Sequence, residues 1–188
     1  MRLPKTVQIP LLALILILTA IVIGLGLWFF TKSSGGMKKG NELSIEPVSK
    51  AVEGTVEYKI ESRNHVAEGT AVTTYNSNPP NSGDHWPAPA KGGTYDSSLP
   101  DEQLVHNLEH GYIWISYRPD VAQDVKDALK KIVGDDNWKM VLEPRDKDDG
   151  MIALAAWGRV LKLDTPDYDK VKDFIRTYRN RGPEKTPD

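Results

Sequence analysis

Cysteine is absent from all 188 residues. That excludes thiolate nucleophiles, Cys-x-x-Cys redox chemistry and Cys-ligated zinc, and it leaves the chain to fold without disulfides, while saying little about compartment. An excess of basic charge is lacking as well: 24 Lys and Arg stand against 26 Asp and Glu, a formal net charge of −2. Arg2 and Lys5 are the only charged side chains before Phe30. The remainder is therefore mildly acidic, with both signs interspersed, and carries no electrostatic footprint for nucleic acid. There is no internal repeat and no phosphate-binding loop. Asn78-Pro79-Pro80-Asn81-Ser82-Gly83 lacks the lysine and the following helix that such a loop needs, and reads as a rigid turn. Histidine is scarce too, with four in all.

One long hydrophobic run is present. Ile9 to Phe30 contains no charge and ends in Trp28, Phe29 and Phe30. As a helix rising about 1.5 Å per residue it spans about 33 Å, enough for a hydrocarbon core of about 30 Å. A cleaved signal peptide has a shorter apolar core and a small-x-small cleavage site, and neither is found. The run reads as an uncleaved signal anchor. Arg2 and Lys5 before it nearly balance Lys32, Lys38 and Lys39 after it. The shortness of the preceding tail places residues 1–8 in the cytoplasm and the large C-terminal part outside it. The expected location is thus the cell membrane, single-pass, with an extracytoplasmic domain.

Residues 31–47 are polar, with Gly, Ser and Lys, as in a flexible linker. Residues 48–182 suffice for one globular domain, and the tail at 183–188 is expected to be disordered. Within the domain, Val56, Tyr58 and Ile60 alternate with charged residues, which predicts a strand, and the β-branched Thr70 to Tyr75 predicts a second. A long loop rich in Pro and Gly follows. Pro100-Asp101-Glu102 opens a short helix from Asp101 to His110, stopped by Gly111. Tyr112 to Tyr117 is a strand, and Val121, Val125, Ala128, Leu129, Ile132 and Val133 recur at helical spacing. Lys139 to Glu143 and Met151 to Trp157 predict two strands joined by a turn-rich connection. Asp164-Thr165-Pro166 starts a last helix carrying Val171, Phe174, Ile175 and Tyr178 on one face. The order β-β-long loop-short helix-β-α-β-β-α predicts an α+β or mixed α/β fold with a mixed sheet. Trp86, Trp114 and Trp157 read as core or loop-anchoring rings rather than a ligand platform.

The four histidines, His65, His85, His106 and His110, all lie between positions 65 and 110. Imidazole is the commonest metal ligand and the usual proton carrier near neutral pH. His106 and His110 are four apart, which puts both rings on one face of a helix or of a strand. Glu109 could ligate, act as a base or orient an imidazole. Asp84 adjoins His85 as a further carboxylate. Three or four imidazoles plus a carboxylate suit Zn, Cu, Fe or Ni, and fit the all-oxygen sites of Ca or Mg poorly. Two other readings stand beside a metal site: a hydrogen-bonded structural cluster, and an acid/base group without metal. His106-Asn107-Leu108-Glu109-His110 also spells an inverted zinc-protease pattern, but a glycine and a strand follow where that pattern needs a sustained helix.

Tyr75-Asn76-Ser77-Asn78-Pro79-Pro80-Asn81-Ser82-Gly83-Asp84-His85-Trp86-Pro87, then Pro100-Asp101-Glu102, then Leu104-Val105-His106-Asn107-Leu108-Glu109-His110-Gly111 resemble the domain-of-unknown-function family DUF3105. The resemblance covers roughly residues 45–180. That family is largely bacterial with some archaeal members, often with one N-terminal membrane span. Its pattern carries histidines matching His65, His85, His106 and His110, with Pro usual in place of Asp84 and Gly frequent in place of Tyr112. The family name supplies no activity, but the match implies a shared histidine site.

The combined expectation is a membrane-anchored domain binding one transition metal, Zn or Cu, through His65, His85, His106 and His110. Glu109 and Asp84 are expected nearby as orienting groups or alternative ligands. A non-catalytic interaction module, with an unidentified protein partner and structural histidines, is the alternative. A metal-dependent hydrolase is the second.

Overall fold

The computed structural model describes residues 47–187. The expected cytoplasmic tail, the apolar run and all of the expected linker except Pro47 lie outside the described residues. Among the described residues no helix is long and apolar enough to cross a membrane.

Six strands form one mixed sheet: β1 Val56–Glu57, β2 Gly93–Thr94, β3 Ile113–Tyr117, β4 Met140–Pro144, β5 Ile152–Ala156 and β6 Arg159–Leu163. Among the described residues three helices accompany them: α1 Asp101–Glu109, α2 Gln123–Asp135 and α3 Tyr168–Tyr178. The strand order is β1-β6-β5-β3-β4-β2. β3 and β4 pair in parallel, joined through α2, and β2 pairs in parallel with β4, while β3–β5, β5–β6 and β1–β6 are antiparallel. The fold is α+β with a mixed sheet, as the element order predicts.

Side chains alternate across a strand, so one sheet supplies two cores. Ile113, Ile115, Met140, Leu142, Ile152, Leu154, Leu161 and Leu163 meet Val125, Leu129 and Val133 of α2 and Val171, Phe174 and Tyr178 of α3. The opposite face carries Trp114, Val141, Ala155 and Val160, which pack with Leu104, Val105 and Leu108 of α1 and with Ile60, Ala90 and Trp157. Both faces of β3 are covered, which is why Ile-Trp-Ile-Ser-Tyr is buried throughout. The tryptophans Trp114 and Trp157 are core rings, as expected.

Several expectations need correcting. Thr70 to Tyr75 forms no strand. Its backbone is held by side chains instead: Glu102 accepts from the Val72 N–H at 2.8 Å, and the Trp86 indole donates to the Thr70 carbonyl at 2.9 Å. β-Propensity is overridden by context, and the place beside β4 goes instead to Gly93–Thr94 from within the long loop. The strand expected over residues 56–60 shortens to Val56–Glu57. Lys139–Glu143 and Met151–Trp157 are not neighbours, since β3 lies between them. The hairpin is β5–β6, with Ala156 opposite Arg159 and a Trp157-Gly158 turn in which Gly158 has φ 74°. The last helix starts later than expected, at Tyr168, because the Asp167 side chain caps it by accepting from the Lys170 N–H at 3.0 Å.

The long loop is built onto α1. Asn107, fully buried, donates to the Ala90 carbonyl at 2.8 Å and accepts from the Ala90 N–H at 2.9 Å. The segment after Gly182, where disorder is expected, also makes defined contacts. The Glu184 N–H donates to the Glu109 carbonyl at 3.1 Å, and the buried Lys139 ammonium reaches the Thr186 carbonyl at 2.7 Å.

Candidate metal centre

Two pieces of local structure bring the histidines together. His106 and His110 follow one another along α1 and its C-cap, separated by one helical turn. His65 and His85 come from extended segments that meet in a parallel bridge, with the Val66 N–H donating to the His85 carbonyl at 2.8 Å and the His85 N–H to the Asn64 carbonyl at 3.0 Å. Residues opposite each other in such a bridge project the same way. The Trp86 N–H, next in the chain, donates to the Glu102 carbonyl at 3.2 Å and ties this bridge to α1.

The rings form a compact group. The His65, His85 and His106 centroids are 5.0–5.1 Å apart pairwise, with His65 and His106 stacked and His85 edge-on to both. One ligand nitrogen from each of these three rings lies within 4.8 Å of the other two. Zn–N bonds of about 2.0–2.1 Å in a tetrahedral site separate ligand nitrogens by about 3.3 Å, so small ring rotations close the gap. His85 is fully buried, His106 is buried and the His65 ring is half exposed, so the group opens to solvent on the His65 side. His110 lies beyond His106, their Nε2 atoms 3.0 Å apart. Its Nδ1 is buried and has no hydrogen-bond partner among the described residues.

Hydrogen bonds orient the two buried rings. His85 Nδ1 faces the Gly83 carbonyl at 2.8 Å, and His106 Nδ1 faces the Trp86 carbonyl at 2.6 Å. A carbonyl only accepts, so each Nδ1 carries its hydrogen, and a neutral ring then presents a bare Nε2. That is how metal-ligating imidazoles are commonly held. Yet His85 Nε2 meets another acceptor, Glu109 Oε2, at 3.1 Å. This contact requires one further proton, on the ring or on the carboxyl, or a cation bound by both groups. Burial keeps the His106 imidazole below its ordinary pKa; the Trp86 carbonyl raises it, and His110 and His85 lower it further.

Glu109 occupies the inner side. Burial would raise its carboxyl, but hydrogen bonds from His85 and Arg63, with the charges of both, hold it down to about 2. It is an ionised carboxylate in a nearly closed environment, accepting from Arg63 Nε at 2.6 Å and lying 4.0 Å from His65 Nε2. The other expected carboxylate, Asp84, is not drawn to the imidazoles. It accepts from the Ser62 hydroxyl and from Asn64 at 3.1 Å, because neighbours in an extended chain point to opposite sides.

Two charged residues at the cluster carry no sequence motif. Arg63 bridges Glu109 and Glu184, the latter at 3.0 Å from Nη2, and Glu184 Oε2 lies 3.5 Å from His110 Nε2. Arg63 stands two positions before His65, and that spacing shares a face in an extended segment, a signal that was there to read. Nothing local points to Glu184. It arrives through the return of the C-terminal segment along α1.

An α+β domain with three imidazoles gathered around one point, two of them fixed through Nδ1, defines a protein with a candidate histidine metal centre. The chain belongs to DUF3105, a family described as protein of unknown function, which matches residues 65–188 and so includes all four histidines. No curated protein and no solved structure matches the chain.

Proposed function

We propose that this domain binds one transition-metal ion, Zn or Cu, through His65, His85 and His106, with His110 as the fourth donor. The observation that carries this reading is the pair of buried rings whose Nδ1 hydrogens are given to backbone carbonyls. The bare Nε2 of His85 is left against the Glu109 carboxyl, and that of His106 against the His110 Nε2. A cation relieves that opposition without an added proton on the ring, and the all-nitrogen donor set suits a borderline metal. His110 stands outside the three-ring group, its Nε2 3.0 Å from that of His106, and would have to turn in to complete the donor set. Bound metal would supply Lewis acidity if a position stays open, and a structural or carrier role if the shell closes. Glu109 and Arg63 would orient the ligands and balance charge.

The same reading keeps the apolar run at residues 9–30 as a membrane anchor, residues 31–47 as a tether, and the domain on the extracytoplasmic side. It invokes no nucleic acid.

A second reading has one observation in its favour. The carbonyls that hold His85 and His106 both belong to the long loop, so the rings pin that loop whether or not a metal binds. An interaction module with an unidentified protein partner would need nothing more.

Metal content by mass spectrometry separates the two. The full chain is purified in detergent without a polyhistidine tag, beside a His85→Ala/His106→Ala variant. About one equivalent of a single metal in the native chain, lost from a still-folded variant, is the expected result. No metal at isolation, and no uptake on titration with Zn and Cu, overturns it and leaves the interaction module.

A further inference from the structure

Arg63 is shared by two carboxylates of very different character. Glu109 has a 2% exposed side chain and is fixed on Arg63 Nε and His85. Glu184 has a 45% exposed side chain and reaches the outer Nη2 at 3.0 Å and His110 Nε2 at 3.5 Å. We propose that the space bounded by Arg63 and His110 is a binding subsite for a small carboxylate anion, and that the Glu184 side chain fills it as an internal stand-in. The inference rests on the metal reading only insofar as a bound cation would add to the attraction for an anion.

Three features support a displaceable stand-in. A guanidinium binds carboxylates in a planar, directed way, and here its outer nitrogen faces solvent with Glu184. Exposed pairs of this kind hold weakly, so a free carboxylate can compete. The segment that carries Glu184 is also anchored without its side chain. The Asn180 N–H donates to the Gly111 carbonyl at 2.7 Å, the Glu184 N–H to the Glu109 carbonyl, and Thr186 is held by Lys139. The side chain is thus free to leave while the backbone stays. The Glu184 side chain is itself half exposed, so its place is open to an anion from solvent. The buried Glu109 neutralises Arg63 from within, which keeps the guanidinium oriented after Glu184 has moved.

The test is calorimetric titration of the full chain in detergent with sodium acetate, using acetamide as a neutral control, on zinc-loaded and zinc-free samples. Glu184→Gln removes the competitor and keeps the shape, and Glu184→Ala checks the result if glutamine packs poorly. If the side chain fills the subsite about four-fifths of the time, its removal tightens acetate binding about fivefold. A further Arg63→Gln/Glu109→Gln change removes the guanidinium without stranding a buried charge, and should abolish the gain. Acetate binding no tighter in either Glu184 variant than in the native chain overturns the proposal, as does a gain that survives loss of Arg63. Zinc content is measured on the same samples. Failure to hold zinc sinks the metal reading alone, because the zinc-free titration still decides the subsite.

Discussion

His65 and His85 are set side by side by their backbones, in a parallel bridge with hydrogen bonds of 2.8 and 3.0 Å. The bridge makes neighbours of two rings that differ sharply in burial, His65 half exposed and His85 fully enclosed. On the proposed metal reading His65 would serve as a ligand alone, and His85 as both a ligand and a structural group.

Alanine substitution should separate these roles. His65→Ala removes an exposed ring and should leave the unfolding free energy of the metal-free chain within about 0.5 kcal/mol of native. His85→Ala strands the buried Gly83 carbonyl and the Glu109 carboxylate, and should cost about 1–3 kcal/mol. Both should lower zinc affinity by tenfold or more. Urea titrations of metal-free protein and competition with a chromophoric chelator check the two halves. Equal destabilisation by both changes would contradict the division of roles.

Zinc should stabilise the chain by mass action. At free zinc about 100 times the dissociation constant, the unfolding free energy should rise by about 2.7 kcal/mol, provided the unfolded chain does not bind the metal. Excess EDTA should return the melting temperature to its metal-free value. A His85→Ala/His106→Ala variant should respond to neither. A melting temperature indifferent to zinc and to EDTA would argue for histidines that serve structure alone.

The parts of this architecture that were legible in the sequence are those with a local period. Val125, Leu129 and Val133 repeat on a helix face, and β3 is a compact β-type run. The histidines stood out because they were few and gathered around turns. β6 was hidden by its charges: Arg159 is buried against Glu57, an ion pair across the sheet edge that no local pattern reveals. The non-strand course of Thr70 to Tyr75 was hidden for the opposite reason, since its residues favour a strand but the side chains of Glu102 and Trp86 take up backbone groups of the segment. Arg63 and Glu184 meet only because the C-terminal segment returns along α1, and such long-range pairings leave no periodic trace.

Glu143 should make stability depend on pH. It is buried on β4, where it accepts from the Leu99 N–H and, at 3.1 Å, from the Trp114 indole. Burial pushes its carboxyl up to about 7 from 4.5; Asp101 adds to the rise, and the two hydrogen bonds and Arg145 oppose it. A raised carboxyl means that the folded state holds a proton which the unfolded state has released. This contribution is therefore complete below about pH 4.5 and is lost as pH rises through about 7. The full swing is about 3 kcal/mol at most. Glu143→Gln mimics the protonated form, so native minus variant stability should fall between pH 4.5 and 8. Paired urea titrations at those two pH values measure it, and a constant difference would refute the assignment.

Two glycines should respond to alanine in opposite directions. Gly111 ends α1 with φ 83°, and a Cβ there would lie 2.8 Å from Asn180 Cα and 3.0 Å from its carbonyl carbon. Both the backbone conformation and the space demand glycine, so Gly111→Ala should cost about 2–4 kcal/mol. Because the Gly111 carbonyl also accepts from the Asn180 N–H, the change should shift the C-terminal segment and weaken the Glu184–Arg63 contact. Gly134 lies in the last turn of α2 with nothing within 4 Å of an added Cβ. Gly134→Ala should stabilise by about 0.5–1 kcal/mol, because alanine loses less backbone freedom on folding. Amide exchange at residues 180–186 distinguishes the two further. Protection there should drop in Gly111→Ala and stay unchanged in Gly134→Ala; a drop in neither would show that the C-terminal segment is held independently of the end of α1.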